Sequence, residues 1–214
     1  MTFWKRKRPR QDSDEAPTIR SRIAIFGGTF DPIHNAHLTV AREASLQFGL
    51  SAVLFVVAAN PPHKRGAVVA DYENRYRMVE LACEGELGFS PSRIEEDEGF
   101  SYSINTIEKV KTVSGPEAQV YFLIGADAFA EIQSWYRWGD VVRQAAFIVV
   151  TRPGHHYRTP PGSTVYRLDT LAMPVSSSDI RASLARGEDP PEVPPAVLEH
   201  IRFLGLYGYP LDKP

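Results

Sequence analysis

Ile23-Ala-Ile-Phe-Gly-Gly-Thr-Phe-Asp-Pro-Ile-His-Asn-Ala-His-Leu38 is the stretch that decides how this chain is read. It opens on a short apolar run, the mark of a buried strand. The run breaks at Gly27-Gly28, turns through Asp31-Pro32 and enters a helical pattern with Leu38, Ala41 and Leu46 assigned to one face. His34 and His37 stand three apart where that helix should begin, a spacing that lets them share a face. A strand, a Gly-rich turn and an electropositive helix N-terminus together suit a phosphate. The turn carries neither G-x-G-x-x-G nor a closing G-K-[ST], so it is neither the dinucleotide fingerprint nor a Walker loop.

Outward from this unit, strand and helix signals alternate from Arg22 onward, which argues for a parallel α/β sheet. Ala52–Ala58 reads as a second strand, followed by the proline-rich Asn60-Pro-Pro-His-Lys-Arg65. That loop sits at a strand's carboxyl end, where open α/β sheets form their ligand crevice, and offers His63, Lys64 and Arg65. Asp71 is a plausible N-cap for a helix reaching about Glu84, and a weaker strand lies near Phe89–Ile94. A further helix carries Ile104, Ile107 and Val110 in period, with Ser103 as its expected N-cap. Gln119–Ile124 is the clearest central strand, with Gly125-Ala-Asp127 behind it, and Ala145–Val150 is another. Trp135-Tyr-Arg-Trp138 reads first as aromatic core packing. Three serines, Ser176–Ser178, precede a helix that brings Arg181 one turn in. As residues alone these are a capped helix; as a set they offer hydroxyls, amides and a guanidinium to an anion. A last helix covers Ala196–Leu204 and stops at Gly205.

Composition narrows the function classes. The chain has 214 residues and a formal net charge of −2, which gives no support for bulk binding to nucleic acid or a membrane surface. One cysteine, Cys83, excludes an internal disulfide framework, fits a reducing cytoplasm and falls in a buried helical phase. No apolar run reaches membrane-spanning length. Residues 1–20, basic then acidic, read as a solvated tail, 21–208 as one domain and 209–214 as a second tail.

Gly-Gly-Thr-Phe-Asp-Pro-Ile-His resembles the [TH]-x-G-H signature of the nucleotidyltransferase superfamily, and within it the bacterial nicotinate-mononucleotide adenylyltransferases. The resemblance runs from about Arg22 to Tyr207, with each element once and in family order. Ala36 departs from it, adding a methyl where the family has glycine. The resemblance implies a Rossmann-like doubly wound parallel sheet with a small C-terminal helical extension. It implies adenylyl transfer from ATP to nicotinate mononucleotide, giving deamido-NAD and pyrophosphate, with His34, His37 and Arg181 catalytic. ATP is then expected at Gly27, Gly28, Thr29, Phe30, Gly125, Asp127, Ser176, Ser178 and Ile180. Nicotinate mononucleotide is expected at Asp31, Asn60, Lys64, Tyr102, Ser103 and Trp135, with Mg²⁺ arriving on the triphosphate and no metal held by protein side chains. Phosphopantetheine adenylyltransferase, a nicotinamide-mononucleotide-preferring enzyme and a non-catalytic nucleotide-binding module are the alternative readings.

Overall fold

A computed structural model of the chain describes residues 21–60, 69–96, 99–151, 157–170 and 175–211. The expected tail over 1–20 and the His63-Lys64-Arg65 loop lie outside the described residues.

Six strands, β1 (Arg22–Gly28), β2 (Ala52–Val57), β3 (Phe89–Ser92), β4 (Gln119–Gly125), β5 (Ala146–Thr151) and β6 (Thr164–Asp169), form one sheet in the order β3-β2-β1-β4-β5-β6. All five pairings are parallel, with Phe26 opposite Phe55 on one side and Leu123 on the other. The central strands have few polar residues because both faces are covered. Successive β4 residues show this division: Tyr121 and Leu123 join one core, Val120, Phe122 and Ile124 the other. The first core also takes Leu38 and Ala41 of α1 (Asn35–Phe48) and Met78 and Val79 of α2 (Tyr72–Cys83). Ile180 and Leu184 of α6 (Ser177–Ala185) and Val197 and Ile201 of α7 (Pro195–Leu204) complete it. The second core is built on α3 (Ser103–Ser114), α4 (Ala126–Ala130) and α5 (Trp138–Gln144), through Ile104, Ile107, Phe129 and Val141.

Three sequence readings need correcting. Leu46 does not share the buried face of α1: it is 85% exposed, and Val40 and Ala44 join Leu38 and Ala41 instead. A residue eight past Leu38 lies about 80° round a 3.6-residue helix, off the buried stripe. Ser103 is not the N-cap of α3; Tyr102 is, with extended backbone and no side-chain cap. Residues 209–211 are not wholly a tail, because Tyr209 is buried and donates its hydroxyl to Asp189 at 2.8 Å. Asp71 does cap α2, accepting the Asn74 amide at 2.8 Å, and Cys83 is buried, its thiol pushed up to about 12 by desolvation.

The strand order reverses between β1 and β4. Their carboxyl ends, Gly27-Gly28 and Gly125, therefore diverge in their connections and leave a crevice at the switch point.

Candidate active site

The turn after β1 is built around one aromatic ring. Phe30 has a φ of 48° and turns its side chain back beneath Gly28. A Cβ on Gly28 would lie 2.9 Å from that ring, so glycine is needed here for the phenyl group rather than only for a ligand. Phe30 is buried, edge-on to Phe26 at 5.8 Å and to His37 at 5.2 Å, so its ring supports the imidazole from below. The expected ATP contact at Phe30 is thus corrected for its side chain.

His34 and His37 do share one face, with ring centroids 3.8 Å apart. His34 is the N-cap of α1, and its backbone N–H donates to Nδ1 of His37 at 3.2 Å. That bond fixes the tautomer: with Nδ1 accepting, a neutral His37 carries its proton on Nε2 and presents it as a donor. His34 is buried, and desolvation lowers its pKa to about 4, so it is neutral at pH 7. Its Nδ1 is buried without a hydrogen-bond partner.

The second loop reaches the first. Ser177 Oγ donates to the Pro32 carbonyl at 3.3 Å, and Arg181 Nη1 donates to the Asp31 carbonyl at 2.7 Å. Arg181 Nη2 also holds Ser178 Oγ at 3.2 Å. Ser176 caps α6 by accepting the Asp179 amide at 3.1 Å and donates to the Asp179 carboxylate at 2.8 Å. The paired imidazoles, the serine-lined helix start and Arg181 thus belong to one neighbourhood. Ile180 is in it only as packing: its side chain is buried and its amide is bonded to the Ser176 carbonyl at 3.1 Å.

Asp31 does not face a ligand. It is 3% exposed, and its carboxylate accepts the amides of Val69 at 2.8 Å and Ala70 at 3.1 Å and the Tyr207 hydroxyl at 2.8 Å. Beneath it, Arg75 is 2% exposed and donates to three carbonyls: Thr29 at 2.9 Å, Ala58 at 2.8 Å and Ala70 at 3.1 Å. Burial lowers the Arg75 pKa, opposed by the nearby Asp31 charge, and the group stays cationic. The Thr29 carbonyl is therefore held by a cation below the turn.

Beside this polar cluster, a cavity of about 510 Å³ opens between the ends of β1 and β4. Gly27, Gly28, Phe122, Gly125, Tyr102, Ser103, Trp135 and Tyr136 line it, with Glu95 at its side. Trp135 stands edge-on to Phe122 at 5.9 Å, and Tyr102 packs on Tyr136 at 4.6 Å, giving an aromatic wall. Ser103 is the first helical residue of α3, at the electropositive end of that helix. Trp138, like Trp135, is half-buried against the second core.

Two expected contacts stand apart from this cavity. Asn60 is exposed and braces the rim, donating to the Gly99 carbonyl at 2.7 Å, while its own amide donates to Ser101 Oγ at 3.3 Å. Asp127 is exposed in the first turn of α4 and is not among the lining residues. Lys64 lies outside the described residues. Sequence reasoning missed Arg75, Tyr207, Tyr136 and Glu95. Arg75 carried a signal: it falls in phase with Met78, Val79 and Ala82 on the buried face of α2, an unusual place for a guanidinium.

Among the described residues, no cluster of three or more His, Cys, Asp or Glu side chains is arranged to hold a metal ion, and no helix is long and apolar enough to cross a membrane.

Comparison with known proteins agrees with this arrangement. The cytidylyltransferase-like family model matches residues 25–183. A Solibacter usitatus protein named "Probable nicotinate-nucleotide adenylyltransferase" is 56% identical over 87% of this chain and 100% of its own length. A Moorella thermoacetica protein of the same name is 39% identical over 91% of this chain and 95% of its own. Among solved structures, the Plasmodium falciparum nicotinic acid mononucleotide adenylyltransferase complexed with NaAD aligns with a TM-score of 0.73. It covers 90% of this chain and 100% of its own, and at 21% identity that likeness concerns the fold. With a β-α turn bearing two closely set imidazoles, met at the sheet's switch point by a serine-capped helix and its arginine, the family match over residues 25–183 and these relatives place the chain in the cytidylyltransferase-like family, among the nicotinate-nucleotide adenylyltransferases.

Proposed function

We propose that the chain transfers the adenylyl group of ATP to nicotinate mononucleotide. A phosphate oxygen of the mononucleotide attacks the α-phosphorus of ATP, the bond from that phosphorus to the bridging oxygen breaks, and pyrophosphate leaves with the electron pair. The attacking phosphate is already ionised at neutral pH, so no protein base or nucleophile is needed. What remains is to bring two polyanions together in line and to stabilise charge moving onto the leaving group.

The observation that carries this reading is the meeting of the two loops: Arg181 donates to the Asp31 carbonyl, in the turn that leads into the helix start where His37 is held through Nδ1. In this scheme His37 donates to the phosphates at the reacting centre, the neutral His34 lies against it, and Arg181 with the start of α6 holds the departing pyrophosphate. The cavity suits the pyridine nucleotide, with Trp135 and Tyr136 flanking the ring and Ser103 meeting the nicotinate carboxylate at the α3 N-terminus. Mg²⁺ brought in on ATP would be held by phosphate oxygens and water, with no protein side chain assigned to it, and would supply screening of the triphosphate charge. Such chemistry belongs to the cytoplasm, and a lone buried thiol suits that compartment.

Pyrophosphate release from purified protein with MgATP tests this, using nicotinate mononucleotide, nicotinamide mononucleotide and phosphopantetheine as separate acceptors. Release should be fastest with nicotinate mononucleotide. Faster release with either other acceptor would reassign the substrate, and none with all three would leave a binding module.

A further inference from the structure

Tyr207 lies beyond the residues matched by the family model and 176 residues from Asp31, yet its hydroxyl sits on the Asp31 carboxylate at 2.8 Å. Its φ is 57°, in the left-handed region where a side chain costs about 1 kcal/mol or more, so the surroundings must hold it there. Burial and the adjacent Asp31 push the hydroxyl's pKa up, so it is a donor throughout the working pH range.

The Asp31 carboxylate thus has three donors, two amides and this hydroxyl. The hydroxyl and the Ala70 amide sit on Oδ1 and the Val69 amide on Oδ2, where Arg181 makes only a long ion pair. Nη1 lies 3.9 Å from Oδ2 and instead donates to the Asp31 carbonyl at 2.7 Å, leaving Nη2 on Ser178 at the crevice. We propose that Tyr207 is a positioning residue for Arg181: by occupying the Asp31 carboxylate it keeps the guanidinium on the carbonyl, turned toward the leaving pyrophosphate. Without the hydroxyl, Oδ1 loses one of its two donors and the buried carboxylate regains charge, which strengthens the pull of Oδ2 on Arg181 and draws the guanidinium off the phosphates. This rests on the adenylyl-transfer reading given above.

The test measures kcat and both KM values, with calorimetric binding of inorganic pyrophosphate, for wild type, Tyr207→Phe, Leu206→Ala and Arg181→Lys, and for Tyr207→Phe combined with Arg181→Lys. Tyr207→Phe should raise the MgATP KM and the pyrophosphate Kd by about tenfold each and leave the mononucleotide KM unchanged. In the Arg181→Lys background the same change should add less than about twofold. Leu206→Ala, which loosens the same turn while keeping the hydroxyl, should lower Tm without changing the ratio of the two KM values. The idea fails if Tyr207→Phe unfolds the chain, moves both KM values together, moves neither, adds fully to Arg181→Lys, or is matched by Leu206→Ala. A wild-type chain that binds pyrophosphate but transfers no adenylyl group would defeat the proposed function, and the calorimetric cycle would still judge the Tyr207–Arg181 coupling.

Discussion

Replacing Gly28 with alanine puts the construction of the first turn to a direct test. The new methyl carbon would sit 2.9, 3.0 and 3.1 Å from three atoms of the Phe30 ring. Carbon atoms prefer about 3.5–4.0 Å, so the ring must retreat by roughly 0.5–1 Å. It has little room: Phe30 is 2% exposed, with Phe26 and Phe55 at 5.8 Å and His37 at 5.2 Å. Overpacking of this kind costs about 1–3 kcal/mol. For a domain of this size that is a fall in Tm of roughly 3–10 °C. Because His37 stands against the ring that must move, turnover should fall at least about tenfold, a fraction of the ~100-fold that a 1 Å misplacement can cost. Thermal unfolding and pyrophosphate release report the two effects separately. Adding Phe30→Leu, which takes away the clashing ring atoms, should make the double variant more stable than the sum of the two single changes. A Gly28→Ala protein that unfolds within about 1 °C of wild type and turns over normally would refute the reasoning.

On the proposed function, His37→Ala should lower kcat by about 10²–10³, well beyond the modest fall in Tm expected from losing the acceptor of the His34 amide; normal turnover in the folded variant would end its assigned role. His34 titrates near 4 when folded and near 6.5 when unfolded, so between those values the unfolded chain binds more protons. Stability must therefore rise with pH across that window and be lost as pH falls through it, by up to about 3 kcal/mol from this group. His34→Asn should flatten the Tm-against-pH curve between about pH 4 and 6.5 relative to wild type, and an unchanged slope would contradict the burial argument. Arg75→Met should cost about 3 kcal/mol or more in denaturant unfolding, because one buried and two part-buried carbonyls lose their donor. Arg75→Lys should recover little of that loss, as one ammonium cannot reproduce a planar fork.

The sheet was legible because its central strands are continuous apolar runs ending in glycine, as in Ile23–Gly28 and Gln119–Gly125. β6 went unread for the opposite reason. Thr164–Asp169 is an edge strand pairing only with β5, and Leu168 is its one fully buried residue, so its pattern is mostly polar. The meeting of the histidine turn with the Ser176–Arg181 element was expected from the family resemblance, not from a strand signal, because the strand that precedes it is the unread β6. Which polar side chains turn inward was not legible. Asp31 reads as a ligand contact until Val69, Ala70 and Tyr207 are seen around its carboxylate, and nothing local to Asp31 announces partners so distant in sequence. Periodicity describes one element at a time, whereas a buried charge is satisfied by groups from several.

The Asp31–Tyr207 bond also orders events at the ribosome. The histidine turn leaves the exit tunnel early, and the hydroxyl that completes the setting of its aspartate is synthesised 176 residues later. The first βα unit can emerge and collapse, but its carboxylate must wait through most of translation for that donor, at about 5–20 residues per second. The last donor to this carboxylate is therefore among the last side chains to be made.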